Sequence, residues 1–379
     1  MYQLLTGARI ITNGRIIDGM DIRISNGKIL DILPHEPFEA GARDLSGMYI
    51  APGFIDLHIH GGDGYEFIDG TEEAFLRISA LHASKGTRVL YPTISATTTN
   101  VMYRALETAE KIIHDTDVEI PGVHLEGPYL SREMCGAQNT DVIRLPDPNE
   151  YLPILERFSP IIARWSYAPE NDDGGAFLSA LNRYCVTPAI AHSAAEYGHI
   201  LPAYENGLRL VTHLYSATST VTRHGGFRHL GVIESSFLLD EMDVEAIADG
   251  CHLPAELLRM IVKIKGVSHT ALITDAIRHA GMTNIDNTVG GTKRIPYIIE
   301  DGVAKLADRS AFAGSIATTQ QLLQKTVKAG IPLADTVRMM TETPARIMKL
   351  AQKGRIAPGF EACFTVFDEN LNVQPKDII

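Results

Sequence analysis

From about residue 50 to residue 345, short apolar runs alternate with stretches of helical period, and this alternation constrains the fold more than any other feature. The runs fall at 48–59, 88–93, 120–125, 161–167, 186–191, 208–212, 244–248 and 270–274. Between them, segments such as 72–84, 101–113 and 255–265 carry apolar residues at helical spacing. Parallel strands need a crossover of a dozen or more residues, usually a helix, so the pattern specifies βα units and a parallel sheet. Eight strands are the count of a (β/α)8 TIM-type barrel, with a doubly wound open sheet as the rival.

The two ends of the chain read as β-structure instead. Apolar residues alternate through Ala8-Arg9-Ile10-Ile11 and Asp21-Ile22-Arg23-Ile24, and Asn26-Gly27 before Lys28-Ile29-Leu30 is a two-residue hairpin signal. The stretch from Gly354 through Pro358-Gly359 to Val366 returns to strand character, and 276–311 reads as a β-hairpin insertion into the last βα unit. The expected organisation is therefore a small β-sandwich domain made of residues 1–51 and 346–379, flanking a catalytic barrel over 52–345.

Composition then narrows the function classes. With 45 % hydrophobic and 21 % charged residues, the 379-residue chain has ample material for a core and is not a disordered one. Its formal charge of −12 comes without a basic stripe, which argues against a nucleic-acid partner. No run of apolar residues is long enough for a membrane span, and the first residues lack the pattern of a signal peptide. Cys135, Cys185, Cys251 and Cys363 stand singly with no CxxC spacing, as reduced thiols of a cytoplasmic protein.

Chemistry enters at the C-terminal ends of the strands. The first ends Asp56-Leu57-His58-Ile59-His60, where alternation puts both histidines on one face with Asp56 in phase beneath. The third ends His124-Leu125-Glu126, the fifth Ala191-His192, the sixth Thr212-His213 and the eighth Thr274-Asp275. In a barrel these ends converge on the face that carries active sites. Imidazoles and carboxylates converging there suit a divalent ion such as Zn²⁺, Fe²⁺ or Mn²⁺. No lysine occurs between Lys111 and Lys263, so a carbamylated lysine cannot bridge two metals from strands 3 to 7, and Glu126 is the candidate bridge. His124 is expected to point inward as a supporting group. Histidines 35, 82, 114, 199, 269 and 279 have no such placement.

With these residues in chain order, the sequence resembles the amidohydrolase superfamily. His124-Leu125-Glu126-Gly127-Pro128, Gly136-Ala137-Gln138, Ala168-Pro169-Glu170, His213-Leu214-Tyr215, Ala248-Asp249-Gly250 with His252, Thr274-Asp275-Ala276 and Ala313-Gly314-Ser315 resemble its N-acetylglucosamine-6-phosphate deacetylase family. The resemblance implies a metal-dependent hydrolase that removes acetate from the 2-acetamido group of a sugar 6-phosphate. It matches Glu126, His192 and His213 to the common metal ligands, His58 and His60 to those of members with a second metal, and Asp275 to the catalytic acid/base and metal contact. Ala137, Gln138, Ser216, Ala217, Arg228, Asp249, Gly250, Cys251, His252, Phe312, Ala313 and Gly314 fall where the family contacts substrate. The implied cofactor is one or two divalent metals per subunit, with zinc first and iron or manganese behind it. The implied assembly is a homodimer in which Arg228 reaches the neighbouring site.

Three departures stand out. Ser216 replaces an Asn common in the family, Gln138 stands where some members have a histidine, and Cys363 replaces a common aspartate. The stretch 218–229 is also longer, with Arg223 and Gly225-Gly226 added. The alternatives are an amidohydrolase acting on N-acetylgalactosamine 6-phosphate or another N-acyl compound, and a non-catalytic sugar-phosphate-binding barrel. A phosphotriesterase- or dihydroorotase-like enzyme is disfavoured by the missing lysine.

Overall fold

The computed structural model describes residues 2–36, 41–291 and 295–375. Eight parallel strands follow one another in a single sheet: β1 (Phe54–Ile59), β2 (Thr87–Ile94), β3 (Val123–Glu126), β4 (Ile162–Tyr167), β5 (Thr187–Ile190), β6 (Leu210–Val211), β7 (Asp243–Ile247) and β8 (Thr270–Ile273). The sheet closes at its C-terminal rim. Asp275 N donates to His58 O at 2.9 Å and His60 N to Ala276 O at 2.8 Å, with Ile59 bridged in parallel to Ala276. Closure of eight parallel strands makes this the (β/α)8 barrel, not the open sheet.

Helices α1 (Glu72–Ser84), α2 (Thr99–Ile112), α3 (Pro148–Phe158), α4 (Ala176–Arg183), α5 (Tyr197–Glu205), α6 (Val232–Leu238), α7 (Ala255–Lys265) and α8 (Thr319–Lys328) follow the strands in turn. The first shows why. Thr71 accepts a hydrogen bond from Ala74 N at 3.3 Å, and Glu72 and Glu73 sit in the positive first turn. Phe75, Ile78 and His82 then fall on one buried face, where a fully buried Phe or Ile stabilises by about 1.5–3 kcal/mol.

The apolar run at 48–59 serves two sheets. It breaks at Gly53 into strand Tyr49–Pro52 and barrel strand β1. A Cβ on Gly53 would come within 2.6 Å of Arg88 Cβ, so only glycine permits this passage. Tyr49–Pro52 pairs with Arg9–Thr12 and Phe364–Phe367, with Arg15–Ile17 at the edge. The second four-stranded sheet orders Lys28–Pro34, Met20–Ser25, Gln3–Thr6 and Arg43–Asp44. Its hairpin turns at Asn26-Gly27, with φ of 49° and 70°, the geometry that dipeptide favours. Leu5, Ile10, Ile22, Ile29, Ile50, Phe364 and Val366 form a buried cluster of their own between segments from both chain ends.

The insertion is larger than a hairpin. Strands Val289–Gly291, Pro296–Glu300, Val303–Leu306 and Phe312–Ser315 form a four-stranded antiparallel sheet. Three of these strands already lie within 276–311, one more than a hairpin has, and Phe312-Ala313-Gly314, read as a substrate motif, belongs to the fourth. The long 218–229 stretch is a hairpin, Thr222–His224 against Phe227–His229 around Gly225-Gly226.

Candidate active site

The strand ends converge as the sequence implied. His58, His60, Glu126, His192, His213 and Asp275 are all buried at the C-terminal rim of the barrel. His58 Nε2 lies 3.0 Å from His60 Nε2, and Asp275 Oδ1 lies 3.4 Å and 3.2 Å from the same two atoms. Glu126 sits between two groups. Its Oε1 is 3.1 Å from His192 Nε2 and 2.9 Å from His213 Nε2, while Oε2 is 3.4 Å from His60 Nε2. Two sets of ligand atoms, His58/His60/Glu126 and Glu126/His192/His213, each lie within 4.8 Å of one another.

Three of these residues break the strand geometry to get there. His192, His213 and Asp275 have φ of 45°, 32° and 49°, in the left-handed region that non-glycine residues seldom enter. Each costs on the order of 1–3 kcal/mol, and such strain is typical of functional sites. The loop after His192 is pinned by Glu170, which accepts from Ser193 Oγ at 2.7 Å and Ala194 N at 2.6 Å.

Charge and donor chemistry fit a divalent cation. Burial opposes ionisation of Glu126, yet His58, His192 and His213 hold its carboxyl well below the usual range. Burial likewise opposes the Asp275 carboxylate, and the facing His58 and His60 rings bring it down to about 2. His60 is pushed up to about 9 because Asp275 and Glu126 outweigh its desolvation. Anionic oxygens and imidazole nitrogens aimed at a common space are an N/O donor set that suits a divalent metal. The outer faces of the rings support the same reading: His192 Nδ1 donates to Met134 O at 3.0 Å, and His60 Nδ1 meets Ser95 Oγ at 3.0 Å. His58 Nδ1 and His213 Nδ1 have no hydrogen-bond partner among the described residues.

Beneath lies a buried polar layer that sequence reasoning missed. Arg164 on β4 and Glu245 on β7 form a two-pronged ion pair in the barrel interior, with Arg164 Nη2 donating to Glu245 Oε2 at 2.9 Å. Burial would raise the Glu245 carboxyl, but the Arg164 charge holds it down at about 2. His124 does point inward, with Nε2 2.7 Å from Ser166 Oγ and Nδ1 3.1 Å from Thr93 Oγ1. Asp56 accepts from Thr274 Oγ1 at 2.6 Å, and burial pushes its carboxyl up to about 7.

A cavity of about 930 Å³ opens above the cluster. Of the expected substrate residues, Ala137, Gln138, Ser216, Ala217, His252, Phe312, Ala313 and Gly314 line it. Gln138 turns its amide nitrogen to Glu126 Oε2 at 2.7 Å and accepts from Ala96 N at 3.1 Å, so it also orients the shared carboxylate. Asp249 stands behind the wall, bonded to His252 Nδ1 at 2.8 Å and to the Cys251 and His252 N–H groups at 2.9 Å. Gly250 packs on Lys325, and Cys251 Sγ lies 3.7 Å from Asp301 O. Arg228 lies outside the wall, exposed on its hairpin next to Phe227, which is 78 % exposed. The inserted sheet adds wall residues that the sequence did not single out, among them Tyr297, Lys305 and Arg309.

A barrel with this donor set belongs to a recognisable class, and the amidohydrolase family model matches residues 49–378. The chain therefore belongs to the amidohydrolase family, hydrolases of carbon–nitrogen bonds. It is similar to the N-acetylglucosamine-6-phosphate deacetylase of Lysinibacillus sphaericus, 29 % identical over 93 % of this chain and 90 % of that one. It is also similar to the N-acetylgalactosamine-6-phosphate deacetylase of a Shewanella species, 27 % identical over 97 % of this chain and 92 % of the other. Among solved structures, a Mycobacterium smegmatis N-acetyl-D-glucosamine-6-phosphate deacetylase variant in complex with N-acetyl-D-glucosamine-6-phosphate superimposes with a TM-score of 0.89. That structure is 28 % identical, with 98 % of this chain and 96 % of that one covered.

Proposed function

We propose that this chain hydrolyses the N-acetyl group of N-acetylglucosamine 6-phosphate, giving glucosamine 6-phosphate and acetate. The observation that carries the reading is the six-residue cluster at the floor of the cavity, in a chain similar along almost its whole length to such deacetylases. His58, His60, Glu126, His192, His213 and Asp275 are the residues that would hold one or two divalent ions, zinc by donor type. A divalent ion bound there supplies Lewis acidity, bringing the pKa of water towards about 7 and polarising a carbonyl.

The chain's own groups account for the proton. Water adds to the amide carbon, and Asp275 takes its proton. The same carboxyl then delivers that proton to the nitrogen as the C–N bond breaks, and the proton left on the acid passes to the amine, so acetate and an ammonium group result. Gln138, bonded to Glu126, would stabilise the oxyanion. In this reading Arg228 and His252 hold the 6-phosphate, with Ala137, Ser216, Ala217, Phe312, Ala313 and Gly314 shaping the sugar site. Asp249, Gly250 and Cys251 form the turn that presents His252.

The reading extends to a cytoplasmic homodimer in which Arg228 enters the neighbour's cavity, because its hairpin is exposed and outside its own. Residues 52–345 would be the catalytic barrel, and 1–51 with 346–379 the small β domain. Ser216 favours a second substrate, N-acetylgalactosamine 6-phosphate, since a shorter side chain at that wall relaxes the hold on the sugar. Acetate release over N-acetylated amino sugars, with and without 6-phosphate, tests both. Turnover of N-acetylglucosamine 6-phosphate above all others supports the first reading, preference for the galacto epimer the second, and turnover of neither removes both.

A further inference from the structure

We propose that Glu245, locked by Arg164, is a positioning residue that fixes His58 with its proton on Nδ1 and its Nε2 lone pair facing the cation site. The inference rests on the reading of His58 as a metal ligand and deepens it.

Arg164 is purely a donor, and this polarises everything bonded to it. Its Nη2 donates to Thr212 Oγ1 at 2.5 Å as well as to Glu245. Thr212 Oγ1 also pairs with Ser166 Oγ at 3.0 Å. Ser166 Oγ in turn pairs with His124 Nε2 at 2.7 Å. On the far side of that ring, His124 Nδ1 faces Thr93 Oγ1 at 3.1 Å. Thr93 donates to Tyr91 O at 3.2 Å and accepts from Ile59 N at 3.0 Å. These contacts link the Arg164 cation to His124 on β3 and Thr93 on β2 through buried hydroxyls.

The other side of the cation ends on His58. Both Glu245 oxygens take an Arg164 proton, and Oε2 faces His58 Nδ1 at 3.6 Å. Both residues are fully buried, and among the described residues no group hydrogen-bonds to that nitrogen, so Glu245 is the charge it faces. A lone pair on Nδ1 would oppose a carboxylate in a dry interior, whereas an N–H there is attracted to it. A neutral imidazole has one proton, so Nε2 is left bare and directed at His60, Asp275 and Glu126. Carboxylates behind ligating histidines set the tautomer in this way, and their loss typically costs about 10- to 100-fold in metal affinity.

The test replaces Glu245 by Gln in the full chain. The Gln oxygen stays with Arg164 and its amide turns donors toward His58, which reverses the tautomer. The metal-stripped proteins are titrated with Zn²⁺ and the ions counted, and the His58 tautomer is read from ¹⁵N imidazole shifts. Glu245→Gln should move the His58 proton to Nε2 and weaken one ion by about 10- to 100-fold, leaving the Glu126/His192/His213 ion unchanged. Should that variant fail to fold, Arg164→Met with Glu245→Met removes the charges together, a change buried ion pairs often tolerate, and should weaken the same ion. His58→Ala is the reference. If it loses one ion while folded Glu245 variants keep full affinity and the Nδ1–H tautomer, the positioning role is overturned. If His58→Ala keeps every ion, His58 is no ligand and both readings fall.

Discussion

His82 gives a pH dependence whose size follows from its surroundings. It lies fully buried on α1, with Nε2 donating to Gly61 O at 3.1 Å and Nδ1 without a partner among the described residues. Burial alone brings its pKa from 6.5 down to about 4, against the carbonyl that favours the charged form. The folded value is the lower one, so the unfolded chain binds the proton first as pH falls. Stability is untouched above about pH 6.5 and lost progressively down to about pH 4. At about 1.36 kcal/mol per unit, the penalty is about 3 kcal/mol at the acid end. His82→Gln keeps a donor for Gly61 and cannot titrate. Urea unfolding of metal-stripped wild type and His82→Gln across pH 4–8 should show two stability curves that diverge below pH 6.5, the variant losing about 3 kcal/mol less. Parallel curves through that window would refute the claim that His82 is held neutral by burial.

Asp275→Asn should lower kcat by about 10²–10⁴-fold with the fold retained; near wild-type turnover at normal metal content would remove its role as acid and base. Phosphorylated N-acetylglucosamine should show a higher kcat/KM than the unphosphorylated sugar, and equal values would leave Arg228 and His252 without an anion to hold. Mixing inactive Asp275→Asn with inactive Arg228→Ala should restore part of the activity, because one hybrid site has both residues intact. Verified heterodimers with no activity would confine Arg228 to its own subunit.

The barrel and the six cluster residues were legible because two signals coincide. Apolar runs mark the strands, and His or carboxylate at their C-terminal ends marks the rim that barrels use for chemistry. Glu245 and Arg164 were not legible, since a single charge inside a strand reads as a solvated face. Only closure of the sheet puts both in a dry interior, where one must neutralise the other. The left-handed backbone at His192, His213 and Asp275 was equally hidden, because no residue-type preference announces φ > 0 there. Phe312-Ala313-Gly314 carried two messages, a cavity wall and a fourth strand, and only the first was readable. Arg228 was expected at the substrate from its motif, and its exposure outside the cavity emerges only from the hairpin that carries it.

Chelation and reconstitution test the central claim most directly. Acetate release from N-acetylglucosamine 6-phosphate is measured for the protein as purified, after removal of divalent metal, and after stoichiometric Zn²⁺ is returned. The account predicts loss of turnover on stripping and recovery on return for wild type, with no recovery for Glu126→Gln, whose carboxylate is shared by both ligand groups. Full turnover by the stripped protein, or full recovery by Glu126→Gln, would contradict it.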